Sequence, residues 1–268
     1  MLPALFVAHG APLLAIENND YTQFLHSLGT EFPKPRAILL FSAHWESAVQ
    51  QVSDVERFET IYDFGGFPEA LYRINYPAEG DTAVTEEIMA LLTAQGVPAE
   101  VESARGLDHG AWVVLKMLYP AADIPVISLS VNPHLTPAEQ YTIGASLAPL
   151  RERDVLIIAS GGTVHNLGAL RMAGGDGTVD QWAVDFDKWL EDNLTDWNTD
   201  SLFRYEALAP AVGLAVPPRG NEHFIPLFYA MGAADREKQA QLLYRSYRYG
   251  NLSHSVWQFG RPEQAGNQ

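Results

Sequence analysis

The sequence predicts an α/β fold: a central, mostly parallel sheet flanked by helices, with an antiparallel hairpin at the C-terminus. Three observations predict it. Short apolar runs without polar alternation recur along the chain, as expected for strands buried on both faces. Segments with helix caps lie between them, and strand–helix alternation is the pattern of a parallel sheet. The last two strand-like segments are instead joined by Gly250-Asn251, a hairpin signal.

The elements follow in order. Residues 4–8 are wholly apolar, follow no basic stretch and run into His9-Gly10, so they read as a first strand and not as a leader peptide. Residues 21–28 have helical character, with Gly29 as the expected stop. Residues 37–42 form the second buried strand. Asp81 caps a helix running to Ala94, with Gly96 just past its end. Residues 109–118 are amphipathic and helical, and residues 126–131 are again a buried strand. Thr136-Pro-Ala-Glu139 is a capping box with proline at the first helical position, opening a helix toward Leu150. Residues 155–159 give another strand, 179–193 another helix, and 241–249 pair with 252–259 in the hairpin. Without an evident linker, residues 1–260 are expected to form one catalytic domain, and 261–268 a polar tail.

Composition excludes some functions and leaves others open. The 268 residues hold 17 basic and 33 acidic side chains, a net charge of −16. Such a surface repels nucleic acid and anionic membrane, so neither is expected as a partner. No apolar run approaches the roughly 18 residues of a membrane span. There is no cysteine, which rules out disulfides and thiolate chemistry and suits a reducing cytoplasm. A bound metal would have to use imidazole, carboxylate, backbone or water.

The eight histidines carry the chemistry. His9, His44 and His165 each follow a buried strand closely, in Val7-Ala8-His9-Gly10, Ser42-Ala43-His44-Trp45 and Ser160-Gly161-Gly162-Thr163-Val164-His165-Asn166. In open α/β sheets ligands bind beyond the carboxyl ends of the strands, so histidines far apart in sequence can converge there. One histidine at a strand end is more often a hydrogen-bonded core residue; three at equivalent ends point to a shared site. His109, after Asp108, and His223, after Asn221-Glu222, stand where loops enter expected helices, and Asp108 and Asn221 suit helix capping. His26, His134 and His254 read as packing, turn and strand residues.

At these residues the chain resembles the 4,5-DOPA extradiol dioxygenase-like family, a branch of the class III extradiol ring-cleavage dioxygenases related to the catalytic subunit of protocatechuate 4,5-dioxygenase. The matching motifs are His9-Gly-Ala-Pro12, Ser42-Ala-His-Trp45, Tyr62-Asp-Phe-Gly-Gly-Phe-Pro68, Asp108-His-Gly-Ala-Trp112, the segment from Ser160 to Asn166, and Glu222-His-Phe-Ile-Pro226. Each is weak alone; their order and spacing are specific. The resemblance implies a non-haem metal at His9, His44 and His223, with Fe(II) for activity and Zn(II) also able to occupy the isolated protein. It places His165 at the acid/base position, and His165 is also a further candidate ligand. His109 matches a second pocket histidine. The implied substrates are a small aromatic diol and O2.

Two alternatives stay open at this stage. The wider class uses two histidines and a carboxylate, so Glu222 rivals His223 as third ligand. Imidazole ligands also suit a zinc hydrolase, or a metal-binding protein without catalysis on the same fold. Phe64 and Phe67 are candidate walls for an aromatic ring, Asp108 is a candidate for orienting a histidine, and Arg105 and Lys116 read as solvated surface charges.

Overall fold

The apolar runs form the middle of one sheet in a computed structural model, which describes residues 1–171 and 177–260. Its strands are β1 (Ala4–Ala8), β2 (Ala37–Glu46), β3 (Gln50–Ser53), β4 (Ala99–Glu102), β5 (Val126–Val131), β6 (Val155–Gly161), β7 (Ala240–Arg248) and β8 (Leu252–Phe259). Their order across the sheet is β4-β3-β5-β2-β6-β1-β8-β7. The central run β5-β2-β6-β1 is parallel, with Leu40 opposite Ile158 and Phe6 opposite Ala159. Strand β8 joins β1 antiparallel and β7 joins β8 antiparallel, as the expected hairpin. The expected fold class is therefore the observed one.

Alternate residues of the central strands point to opposite faces, and both faces are covered. Phe6, Leu39, Phe41 and Ile157 pack into one core, while Leu5, Val7, Leu40 and Ile158 pack into the other. That arrangement explains why the strands read as continuous apolar runs.

The helices that cover these faces are α1 (Asp20–Glu31), α2 (Thr82–Ala94), α3 (His109–Leu118), α4 (Pro137–Leu147), α5 (Gln181–Thr195), three single turns α6 (Thr199–Leu202), α7 (Tyr205–Leu208) and α8 (Val212–Ala215), and α9 (Pro226–Gly232). Asp81 caps α2 and Thr136/Glu139 form the capping box of α4, as expected. Asp108 caps α3 by accepting from the Ala111 amide.

Some boundaries differ from expectation, each for a physical reason. Gly29 does not stop α1. The helix continues to Glu31, and Gly29 sits where a Cβ would lie 2.0 Å from the Leu118 carbonyl oxygen, so it permits close approach to α3. Helix α4 ends at Leu147, where a 3-10 turn takes over through Arg153. Helix α5 begins at Gln181, not at residue 179. His223 does not open a helix; residues 222–225 are turn, and α9 starts only at Pro226. Strands β3 and β4 were not expected, because Gln50-Gln-Val-Ser53 and Ala99-Glu-Val-Glu102 are short, polar segments toward the sheet edge. Among the described residues, no helix is long and apolar enough to cross a membrane.

Candidate active site

The site grows from the parallel order β2-β6-β1. The carboxyl ends of these three neighbours share one edge of the sheet, and adjacent strands lie ~4.8 Å apart. His9 follows β1, His44 lies inside β2 near its end, and His165 follows β6. Strand β2 runs past the expected end at Ser42, with a register shift between Phe41 and Glu46 in its pairing with β5. Gly10 takes a left-handed φ of 58°, which turns the chain immediately after His9. His223 reaches the same place from the loop before α9, and its carbonyl accepts from the Gly162 amide at 2.7 Å.

Three imidazole nitrogens converge there. His44 Nε2 lies 3.1 Å from His9 Nε2 and 3.2 Å from His223 Nε2. The opposite nitrogens decide which protons are present. The Ser160 hydroxyl donates to the Gly110 carbonyl, so His9 Nδ1–H must be the donor in its 3.0 Å contact with Ser160. His223 Nδ1 lies 2.9 Å from the Glu222 carboxylate, which can only accept. Both rings are therefore tautomers with a bare Nε2. His44 Nδ1 faces the Asp63 carboxylate at 3.5 Å. The bare Nε2 atoms of His9 and His223 flank His44 Nε2, an arrangement that a shared cation satisfies. Two nitrogens each ~2.1 Å from one ion stand roughly 3.0–3.4 Å apart for right-angle to tetrahedral ligation. The observed spacings fall in that interval, so the donor set fits a divalent metal ion.

Burial acts in the same direction. It pushes the His9 and His223 imidazoles well below their ordinary pKa, with neighbouring histidines adding to the shift. It pushes His44 to about 4, with His109 adding to the shift, and His165 to about 3, with His223 adding. These rings are neutral near pH 7, the form that donates a lone pair.

The remaining expected residues surround this triangle. His165 is outside it: its ring stacks face to face on His223, with centroids 3.6 Å apart and planes 6° from parallel. His109 enters at the N-terminus of α3, and its Nδ1 bonds to Asp63 at 2.9 Å, which turns Nε2 away from the carboxylate. Burial alone would raise the Asp63 carboxyl, but the hydrogen bonds and charge of His109 outweigh it and hold it at about 2. Glu222 stands behind His223 and not in the triangle. Asp108 accepts from Ser42 at 2.6 Å and from Arg105 at 3.1 Å, and its charge acts on His44.

Arg105 is not simply a solvated surface charge. It also donates to the His44 carbonyl at 3.1 Å and stacks on Trp45, fixing the end of β2 from outside. His26 and His134 are exposed, whereas His254 is buried and stacked on Tyr21, away from the triangle. Sequence reasoning missed Asp63 and Ser160. Asp63 lies in the Tyr62–Pro68 segment, where the aromatic residues drew attention from the carboxylate between them.

A cavity of about 570 Å³ opens over the site. His44, Asp63, His109, His165, Glu222 and His223 line its floor. Phe64 and Phe67 form part of its wall, as anticipated, and their rings meet edge-to-face at 5.4 Å.

An α/β sheet with three converging imidazoles under an aromatic-walled cavity defines the class of site that could hold a metal ion. The chain belongs to the family described as the catalytic LigB subunit of aromatic ring-opening dioxygenase, whose model matches residues 3–259. It is 42% identical over 258 residues to a 4,5-DOPA dioxygenase extradiol of Beta vulgaris, covering 95% of each chain. It is 38% identical over 263 residues to the protein of that name from Escherichia coli K12, covering 97% of this chain and 95% of the relative. It also superposes on the crystal structure of an uncharacterized Escherichia coli K12 protein with a TM-score of 0.82 and 32% identity, covering 97% of this chain and 100% of the other.

Proposed function

We propose that this chain is a metal-dependent extradiol dioxygenase that opens a catechol-type ring beside its two hydroxyls, using O2. The observation that carries the reading is the convergence of the His9, His44 and His223 Nε2 atoms, those of His9 and His223 bare, beneath an aromatic-walled cavity. Membership of a ring-opening dioxygenase family supports it. His9, His44 and His223 are the ligands in this reading, with Fe(II) as the active metal and Zn(II) an alternative occupant of the purified protein. Held by these three histidines, iron would supply Lewis acidity toward a vicinal diol, lowering its pKa, and the redox chemistry that O2 needs.

The chain's own residues do the rest. Ser160 and Glu222 hold the His9 and His223 imidazoles in the required tautomer and orientation, and Asp63 faces His44. His165, neutral and lining the cavity, takes the proton of the second hydroxyl and later returns it. His109, anchored by Asp63, is the second catalytic histidine and stabilises negative charge that develops beside the ring. Phe64 and Phe67 orient the ring and exclude water. Residues 1–260 act as one catalytic unit, the expected polar tail 261–268 lying outside the described residues, and the cysteine-free chain works in the cytoplasm.

The test is O2 uptake by protein loaded anaerobically with Fe(II), against a panel of catechols, with product absorbance followed in parallel. Equimolar O2 consumption and a yellow ring-opened product are expected. His165→Ala should lower kcat by roughly 100-fold or more while metal remains bound. Absence of O2 uptake with every catechol, alongside zinc-dependent ester or amide hydrolysis, would overturn the proposal.

A further inference from the structure

His9, His109 and His223 are each fixed by a hydrogen bond at Nδ1. Among the described residues, no group hydrogen-bonds to the His165 ring, whose contact is the stack on His223. A proton-transfer group needs that freedom, because its nitrogen must stay open to the substrate. The direction of the ring therefore rests on the stack and on the backbone that carries it. That backbone is held from two sides. On one, the His165 amide donates to the Ala215 carbonyl at 3.0 Å and the Asn166 side chain to the Leu214 carbonyl at 2.9 Å. On the other, the Val164 carbonyl accepts from the Ser253 amide of β8 at 3.3 Å.

A single carboxylate stands behind that second side. Asp187 of α5 is 1% exposed, and a carboxylate so deeply buried is costly unless it is fully engaged. Its Oδ2 accepts from the Ser253 hydroxyl at 2.7 Å and from the Tyr247 hydroxyl at 2.9 Å. Ser253 and Tyr247 lie directly opposite each other in the β7–β8 pairing, so the carboxylate holds both strands of the hairpin. Arg245 supplies countercharge with its Nε 3.6 Å from the same oxygen, and it also pairs with Glu191 at 2.6 Å. The fourth group is the hydroxyl of Thr163, two residues before His165 and wholly buried. Neither that hydroxyl nor Asp187 Oδ1 has another partner among the described residues, and their contact is looser than those made to Oδ2. Burial raises the Asp187 carboxyl, while the charge of Arg245 and hydrogen bonding by Ser253, Thr163 and Tyr247 oppose it. Two of the groups that satisfy Asp187 therefore act on the segment carrying His165: Thr163 belongs to it, and Ser253 holds it by a backbone bond.

Resting on the acid/base reading of His165 above, we propose that Asp187 is the positioning residue of His165: through Thr163 and Ser253 it holds residues 163–165 where the His165 ring stacks on His223 and faces the cavity. Asp187 itself lies away from the cavity lining and acts through these two residues. The metal triangle does not depend on it, because His165 stands outside the triangle.

The test reads the ring as well as the reaction. In zinc-loaded protein the carbon-bound ring protons of His165 are followed by NMR, where the parallel stack on His223 shifts them upfield. Asp187→Ala removes the acceptor and leaves Arg245 paired with Glu191. Thr163→Val removes one hydroxyl at nearly constant volume and leaves Asp187 with its other donors, so it carries the test if Asp187→Ala does not fold. Both should lose most of the upfield shift while zinc affinity, from chelator competition, stays within about twofold. In Fe(II)-loaded protein kcat should fall about tenfold or more with KM little changed, since a reacting group displaced by ~1 Å can cost that much. Thr163→Ser, which keeps the hydroxyl, should recover most of both losses. An unchanged ring signature in a folded variant overturns the proposal. So does a loss of zinc affinity matching the loss of kcat, or a Thr163→Ser no better than Thr163→Val; either would mark a merely structural role. If the wild-type protein cleaves no catechol, or His165→Ala keeps full activity, the catalytic reading fails, and the ring signature still decides whether Asp187 holds His165 in place.

Discussion

Replacing Gly161 with alanine should dislodge one corner of the histidine triangle while the sheet survives. A Cβ built on Gly161 falls 2.1 Å from the His223 carbonyl oxygen, and real Cβ contacts essentially never fall below 3.0 Å. The difference, 3.0 − 2.1 = 0.9 Å, is the least by which the His223 backbone or β6 must retreat. Metal–ligand distances tolerate only ~0.2 Å. Since His223 Nε2 now sits 3.2 Å from His44 Nε2, a shift of that size takes it out of register with a shared ion. The loss of metal affinity should be at least the roughly 10–100-fold that follows removal of an outer-shell partner. The neighbouring Gly162→Ala is the control, because its Cβ would meet nothing nearer than His165 Cβ at 3.7 Å and its amide keeps the bond to His223. Metal dissociation constants from chelator competition, with circular dichroism to verify the fold, decide the matter. Gly161→Ala binding metal as tightly as Gly162→Ala, with both folded, would refute the reasoning.

Three further outcomes are expected. Glu222→Ala should weaken metal binding by roughly 10–100-fold, because His223 Nδ1–H loses its acceptor. Glu222→Gln, which keeps an acceptor oxygen, should recover most of that in the same chelator titration; equal losses in both would point to charge instead of orientation. Arg151, only 1% exposed, donates to the carbonyls of Leu2 and Ala233 and pairs with Glu237, so Arg151→Met should cost roughly 3–5 kcal/mol in urea unfolding, and a loss below about 1 kcal/mol would contradict that role. Removing the metal from protein held at about 1,000 times its dissociation constant should lower stability by about 4 kcal/mol, seen as a fall in Tm on chelation; an unchanged Tm would argue against a metal at the triangle.

The central strands were legible because burial on both faces leaves a signature that needs no partner information: Phe6 and Val7 are both apolar since each meets a different core. Strands β3 and β4 carry no such signature, being held mainly by neighbours in the sheet. His9, His44 and His165 were legible by their common position at strand ends, whereas His223 and His109 rested on the resemblance, and the partners that orient the rings were not legible. Ser160 contacts a ring 151 residues away, and Asp63 one 46 residues away, through geometry that exists only after folding. The same holds for His223 against Glu222. Both stand in one motif, and only the direction of each side chain separates the nitrogen in the triangle from the oxygen behind it.

The spans joined at the triangle have a consequence for how the chain is held closed. His9 and His44 are 35 residues apart, and His44 and His223 are 179 apart. A covalent cross-link over ~100 residues would remove about 4–5 kcal/mol of entropy from the unfolded ensemble, and metal clips act on the same principle. This chain has no cysteine with which to make a covalent one. An ion gripped by these three rings would thus serve as the chain's staple, tying its first strand to a loop near its last helix.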